Sequence, residues 1–424
     1  MSGAWRISDE EFFKPVRNLI DDFKIKVSYG VVGNANVDAY ASKSTYSTST
    51  YNGATSYNSS GVNDADLGWE QTGTTDVGFT AALLKHRLSV DVDFFKSKSK
   101  DLILDASQAY STGIAGASIS TNLGKVENKG IEVSLNSAII NRKHFKWNST
   151  FNISFVKNKV LKLEDDIINL SSIKANITTE GYSMGQLYVY PTAGVDPQTG
   201  RRIVKIKQED GSYVNQLLIY KDKNGGLGLY DLDGETKSIY SLKDWKPEIA
   251  GNTKPTVYGG WSNTFKFYGF DAGLNFHFSG GNKVLNAMKA TLADGRMWSG
   301  TADYYKKVWR KPGDKSDFAK TSYNDSYSNG TSYLNSDLIE NGTFVRLQSA
   351  SLGYSFDTKK WPSALGISSL RIYAQAQNLF TITSYSGFDP EINSHAESSN
   401  LNTGIDLNTT PLSRTFSFGA TISF

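Results

Sequence analysis

From Phe416 to the last residue, apolar and polar positions alternate strictly. Phe416, Phe418, Ala420, Ile422 and Phe424 are separated by Ser417, Gly419, Thr421 and Ser423. A period of two places the two sets on opposite faces of one β-strand. The strand stops on an aromatic residue with no polar tail. Two environments accept such a strand. One is the interior of a soluble sandwich; the other is a transmembrane barrel, where the apolar side meets lipid and the polar side the lumen. A single strand does not choose between them.

The same alternation recurs along the chain. It predicts strands over 21–31 (Phe23, Ile25, Val27, Tyr29, Val31), 74–83, 88–94 (Leu88, Val90, Val92, Phe94), 131–136 and 145–155 (Phe145, Trp147, Phe151, Ile153, Phe155). Further strands are predicted over 257–267, 270–278 (Ala272, Leu274, Phe276, Phe278), 344–356 and 370–376, before the closing strand over 412–424. In 344–356 the phase slips between Leu347 and Ala350, which predicts a bulge. Lys85-His86 reads as a two-residue hairpin turn, and Lys283–Leu292 as a short helix.

The spacing between these ten strands separates a barrel from a sandwich. Short turns at 84–87, 141–144, 268–270 and 357–368 alternate with long loops at 34–66, 101–125, 160–254, 280–342 and 381–410. All the short turns then lie at one end of the sheet and all the long loops at the other. Outer-membrane barrels have this asymmetry, with brief periplasmic turns and extended extracellular loops. The predicted fold is all-β: one antiparallel transmembrane barrel wall in meander order. Its convex face carries Val90, Val92, Phe94, Ile153, Phe155, Leu274, Phe276, Phe416 and Phe418. Its lumen face carries Asp91, Asp93, Glu132, Asn275, His277, Arg371 and Gln375.

Composition narrows the chemistry. Net charge is +3 in 424 residues, so no global field points to nucleic acid. Cysteine is absent, which removes disulfides and thiolate chemistry. Mean hydropathy is −0.39 and no apolar run reaches ~18 residues, so no helical span is predicted. The start, Met1-Ser2-Gly3-Ala4-Trp5-Arg6, has no signal-peptide pattern, which for an exported protein leads us to expect an incomplete chain.

Several stretches then resemble a known family. Trp5-Arg6-Ile7-Ser8, the run Phe23 to Gly30, Gly33-Asn34, Leu67-Gly68-Trp69-Glu70, the run Asn122 to Glu132 and Phe388-Asp389-Pro390-Glu391 are similar, in order, to SusC/RagA-like TonB-dependent transporters of Bacteroidota. Asn128-Lys129-Gly130-Ile131-Glu132 is the most specific piece. The resemblance implies an outer-membrane location and the C-terminal part of a plugged barrel of the 22-stranded type, with the plug and about twelve strands having no counterpart here. It also implies import of oligosaccharide or peptide ligands, energised by the TonB complex through the missing plug, with a SusD-like surface lipoprotein as lid. Phe424 would be the signal read by the barrel assembly machinery. No cofactor is implied, and the partial wall would not transport alone.

Other chemistry reads weakly. His86, His144, His277 and His395 have no metal-ligand spacing. Asp231-Leu232-Asp233-Gly234-Glu235 opens like a calcium loop but lacks the later ligands, so a turn is expected. Asp91 and Asp93 share one strand face and cannot flank a scissile bond. No catalytic motif appears and no enzyme is predicted. Loop aromatics (Tyr46, Tyr51, Tyr57, Trp298, Tyr304, Trp309 and Tyr323) sit in Ser/Thr/Asn/Gly-rich stretches where flat rings with polar edges suit sugars or peptides. The competing readings are a soluble or surface β-rich glycan-binding or adhesion protein, and a non-functional remnant.

Overall fold

A computed structural model describes residues 1–35, 42–61, 64–107, 118–163, 166–168, 175–221, 226–296, 300–357, 361, 366–391, 394, 401–407 and 409–424. One antiparallel sheet forms the wall. Its strands, in both chain and spatial order, are β1 (Ser2–Arg6), β2 (Ile20–Asn34), β3 (Glu70–Leu83), β4 (Leu88–Lys100), β5 (Lys125–Asn141), β6 (Phe145–Lys162), β7 (Val257–Phe267), β8 (Phe270–Gly280), β9 (Phe344–Phe356), β10 (Ser369–Thr383) and β11 (Thr415–Ser423). The sheet is not closed. Among the described residues β1 pairs only with β2, and β11 only with β10.

All ten expected strands are present, and the eleventh is the correction. Ser2–Arg6 pairs with Lys24–Ser28, so the first strand expected, over 21–31, is covered over its middle and does not form the sheet edge there. The connection 7–19 returns at the short-turn end, where Arg6 and Ser8 both bond Asp22. The turn between β3 and β4 spans 84–87 as its spacing predicts, but it is not the two-residue turn read at Lys85-His86. Leu83 faces Leu88, leaving four linking residues, of which Leu84, Lys85 and His86 all have positive φ. The Asp21 carboxylate accepts the His86 N–H there. Between β7 and β8, Tyr268-Gly269 is a two-residue turn with both φ positive, the geometry that matches strand twist. The slip in β9 is a register shift between Leu347 and Ser349, as its phase predicts.

Gly130, in the motif Asn128 to Glu132, answers to a steric demand. A Cβ there would lie 2.3 Å from the Phe155 carbonyl and 2.6 Å from the Phe95 ring.

The long loops carry secondary structure of their own, including strands at Gln186–Val189 and Arg202–Lys207. A hairpin of Thr45–Tyr51 and Ala54–Gly61 turns at Asn52-Gly53, and Ile103–Ser107 pairs with Ser118–Asn122. The segment between β6 and β7 builds two four-stranded sheets. Lys283–Asn286, expected as helix, is a strand lying between Ile339–Asn341 and Ile405–Asp406; the helix covers only Ala287–Leu292. Three of these loops, those after β6, β8 and β10, form a cap with its own core of Ala175, Leu187, Val189, Leu285, Ala290, Leu338 and Ile405. A second core gathers Val204, Ile206, Leu218, Leu229 and Trp245. Most of the largest fully buried side chains belong to the cap.

Candidate functional site

The wall has one polar face, and the register shows it directly. Phe23, Ala81, Val90, Leu135, Phe151, Trp261, Phe276, Leu347 and Phe380 are successive cross-strand partners from β2 to β10. The alternate positions form the opposite face. Lys26, Gly78, Asp93, Glu132, Ser154 and Tyr258 are partners there from β2 to β7. Asp91, Asn275, His277, Arg371 and Gln375 fall on the same polar face, and all nine residues expected on the apolar face fall on the other.

Two charge clusters on the polar face are paired within it. Lys26 Nζ lies 3.1 Å from Asp91 and 2.8 Å from Asp93, and Thr80 donates to Asp91 at 2.6 Å. Arg371 grips Asp271 with two bonds of 2.9 and 2.6 Å. Asn275 donates to Ser349 at 2.7 Å. Glu132 is exposed opposite Asp93, and Gln375 lies between Ser351 and Ser417. These groups make a fixed polar lining that can exchange hydrogen bonds with a hydrated solute.

The cap is tied onto this face at two places. Arg346 of β9, with its side chain 4% exposed, donates to Asp389 at 2.5 Å and Glu391 at 2.6 Å. His277 stands 3.7 Å from the other Glu391 oxygen. They line a cavity of about 440 Å³ with Gln348, Asn378 and Leu412. The second tie is Asn158, which donates to Asn128 at 2.7 Å and accepts the Met184 N–H at 2.8 Å. The acids of Phe388-Asp389-Pro390-Glu391 and the Asn of Asn128-Lys129-Gly130 thus have structural work to do. Arg346 was missed because it breaks no pattern; its signal was a lone arginine on a polar strand face facing an acidic loop motif.

A second cavity, about 470 Å³, lies within the cap between Lys289, Tyr304, Lys307, Phe318, Glu340 and Phe388. Behind it the Tyr385 hydroxyl donates to Asp406 at 2.6 Å. Burial raises the Asp406 carboxyl, and burial together with that carboxylate raises the Tyr385 phenol. Asp294 is held below its usual range despite burial, by bonds from the Arg296 guanidinium.

The aromatics expected to meet ligand divide. Tyr46, Tyr51 and Tyr57 stand exposed on the first hairpin, with Tyr46 and Tyr57 on one face of it and Tyr51 on the other. Tyr323 is exposed, and Tyr304 is half-buried edge-on to Phe318. Trp309 is a correction: it is buried, lies against Gly200 and donates to the Pro197 carbonyl at 2.8 Å, so its ring is committed to packing. Trp298 and His395 lie outside the described residues. Asp233 caps its own turn, accepting from Glu235 and Thr236. Among the described residues no cluster of three or more His, Asp or Glu could hold a metal ion. Phe424 is exposed past the end of β11.

Residues 5–234 match the family described as TonB-dependent receptor-like, β-barrel. The chain belongs to this family. Among its relatives are the TonB-dependent receptor P3 of Formosa agariphila, 30% identical over 99% of this chain and 41% of the relative, and the TonB-dependent receptor SusC of Bacteroides thetaiotaomicron, 26% identical over 99% and 39%. The chain therefore spans about two fifths of the length of the curated relatives it matches. The RagAB peptide transporter matches in fold with a TM-score of 0.76 at 22% identity, over all of this chain and 43% of that one. The SusC/RagA resemblance read from the motifs is thus upheld, and with it the partial-barrel fold.

Proposed function

We propose that this chain is a wall section and extracellular cap of an outer-membrane importer in the TonB-dependent receptor family. The observation that carries this reading is the height of the outward apolar band. Along β6 the outward positions run from Phe145 and Trp147 through Phe151 and Ile153 to Phe155 before Lys157. Ten residues span roughly 33 Å along a strand, and at a tilt of ~40° this gives a band near 25 Å, the height of a barrel's lipid zone. The lower margin of the band is aromatic. Trp147 stacks on Phe265, Phe267 on Phe270, and Phe270 meets Tyr354. Polar atoms inside the band are satisfied locally, with Trp147 donating to Asn263 and Trp261 to Ser149.

On this reading Asp91, Asp93, Glu132, Asn275, His277, Arg371 and Gln375 line the lumen. Tyr46, Tyr51, Tyr57, Tyr304 and Tyr323 offer ring faces to an oligosaccharide or peptide at the long-loop end, where a SusD-like lipoprotein docks as lid. The wall performs no covalent chemistry; energy comes from the TonB complex acting on a plug. Phe424 is the signal for the barrel assembly machinery. Edge strands in lipid leave backbone groups unsatisfied at several kcal/mol each, so transport requires further strands covering β1 and β11.

The test is fractionation followed by uptake. The protein should be extracted from outer membranes only with detergent, migrate heat-modifiably, and support uptake of labelled oligosaccharides or peptides only in the presence of the remaining barrel. Recovery in the soluble fraction without detergent sinks the importer reading and favours the soluble glycan-binding alternative. Specific uptake by these strands alone sinks the open-wall part.

A further inference from the structure

Directly above the apolar band, the outward face of β4, β5 and β6 changes from hydrocarbon to lysine. The last apolar row is Phe94, Ile131 and Phe155, partners across the three strands and all exposed. The next outward row, two residues on, is Lys96, Lys129 and Lys157, again direct partners. The row beyond is Lys98, Glu127 and Lys159, and the one after begins Lys100 and Lys125. Seven exposed lysines thus surround one acid, on three adjacent strands. The same row continues onto β3 and β2 as Thr75 and Tyr29, which carry no charge.

This arrangement is unfavourable in the protein alone. Like charges directly opposite on a sheet face repel. Glu127 lies 3.2 Å from Lys96 and 3.8 Å from Lys98, and its single charge is shared between them. Among the described residues no ion pair reaches Lys100, Lys125, Lys129, Lys157 or Lys159. Six charges remain uncompensated. Rows are spaced ~6.7 Å along the strand and ~4.8 Å across it. A double phosphate fits such a grid, and acyl chains below it would lie on Phe94, Ile131 and Phe155.

We propose that this patch is a binding site for a multiply phosphorylated, acylated lipid of the leaflet at the long-loop end. The proposal rests on the membrane-barrel reading above. The phosphates sit among Lys96, Lys129 and Lys157, the acyl chains cover the apolar row beneath, and Glu127 limits the affinity by offsetting one positive charge, shared between Lys96 and Lys98. The lipid fixes the height of the wall in the membrane.

The protein, co-expressed with the remaining strands of the barrel and extracted in mild detergent, is placed in nanodiscs of phosphatidylcholine containing a graded fraction of a bis-phosphorylated, acylated glucosamine disaccharide. Lipids retained through native mass spectrometry are then counted. The bis-phosphorylated lipid should be retained over phosphatidylcholine, and the K96Q/K129Q/K157Q variant should lose at least ~30-fold in affinity for it. E127Q should gain affinity several-fold, which tests the site without removing a lysine. Millimolar pyrophosphate should not displace the lipid. Equal retention by wild type and the triple variant overturns the site, as does an unchanged E127Q. Displacement by pyrophosphate assigns the patch to a free anion and overturns the lipid. A protein that will not enter nanodiscs overturns the barrel reading and the proposal together; one that enters without preference overturns the proposal alone.

Discussion

The wall and the cap of this chain follow opposite burial rules. In the wall the largest apolar side chains are exposed: Phe418 is 83% and Phe416 61% accessible, while the pairs Lys26–Asp93 and Arg371–Asp271 face the other side. In the cap Leu187, Leu218, Leu285 and Ile405 are fully buried, and polar residues such as Arg202 and Asn176 are buried with hydrogen-bond partners. The cap folds as a water-soluble protein does, by removing apolar area from water. The wall leaves that area to a different solvent. The difference teaches that exposed apolar surface is a defect only relative to a medium, and that one chain can be fitted to two media at once.

Substitutions at the seam and on either side test this contrast, beginning with the largest effect. Arg346→Ala leaves Asp389 and Glu391 without their partner and should cost about 3–5 kcal/mol, since breaking a buried pair strands a charge. Protease digestion of the cap should accelerate while heat-modifiable migration of the wall persists; equal loss of both would mean seam and wall are one cooperative unit. Leu285→Ala in the cap core should cost about 2–5 kcal/mol in denaturant unfolding, as a cavity opens among Leu187, Leu338 and Ile405.

Val92→Lys places a charge within the apolar band and should cost about 2–4 kcal/mol of stability in lipid. Phe418→Ala should change stability in detergent by less than about 1 kcal/mol, because its ring has few protein neighbours to lose. A cost above that would show that β11 packs against something in the membrane. The smallest effect is electrostatic. The Asp406 carboxyl is raised, so its contribution is present below the usual carboxylate range and is lost as pH rises through its folded value. Asp406→Asn should therefore flatten that part of the pH profile, moving cap stability less between pH 4 and 8 than in the parent. Asp294 acts in the opposite sense, contributing at neutral pH and failing as pH falls below the usual carboxylate range.

Much of the wall was legible because strand facing is local. Once Val90, Val92 and Phe94 alternate with Asp91 and Asp93, the face of each is set by pleat geometry, and the seven polar-face residues follow without knowing the neighbours. The connections were legible as lengths, since a two-residue turn and a 90-residue excursion cannot be confused. Their interiors were not. Asn52-Gly53 was a hairpin signal hidden in a run of Ser, Thr and Tyr, and Trp309 looked like its exposed neighbours until its ring was placed against Gly200.

By itself, then, the chain's alternation determined a two-faced sheet, its strand order, its two unlike ends and the family whose motifs it carries. The tertiary structure alone decided the cap. Its contacts join residues far apart in sequence: Arg202 to Asp337, Asn176 to Thr403, Leu285 to Ile405. No period reports such pairs, because each loop contributes only part of a core and buries nothing until the others arrive. The β1 pairing, the Arg346 clamp and the lysine rows above the band belong to the same class. Each depends on register between strands, which backbone hydrogen bonding sets across the sheet and no single strand encodes.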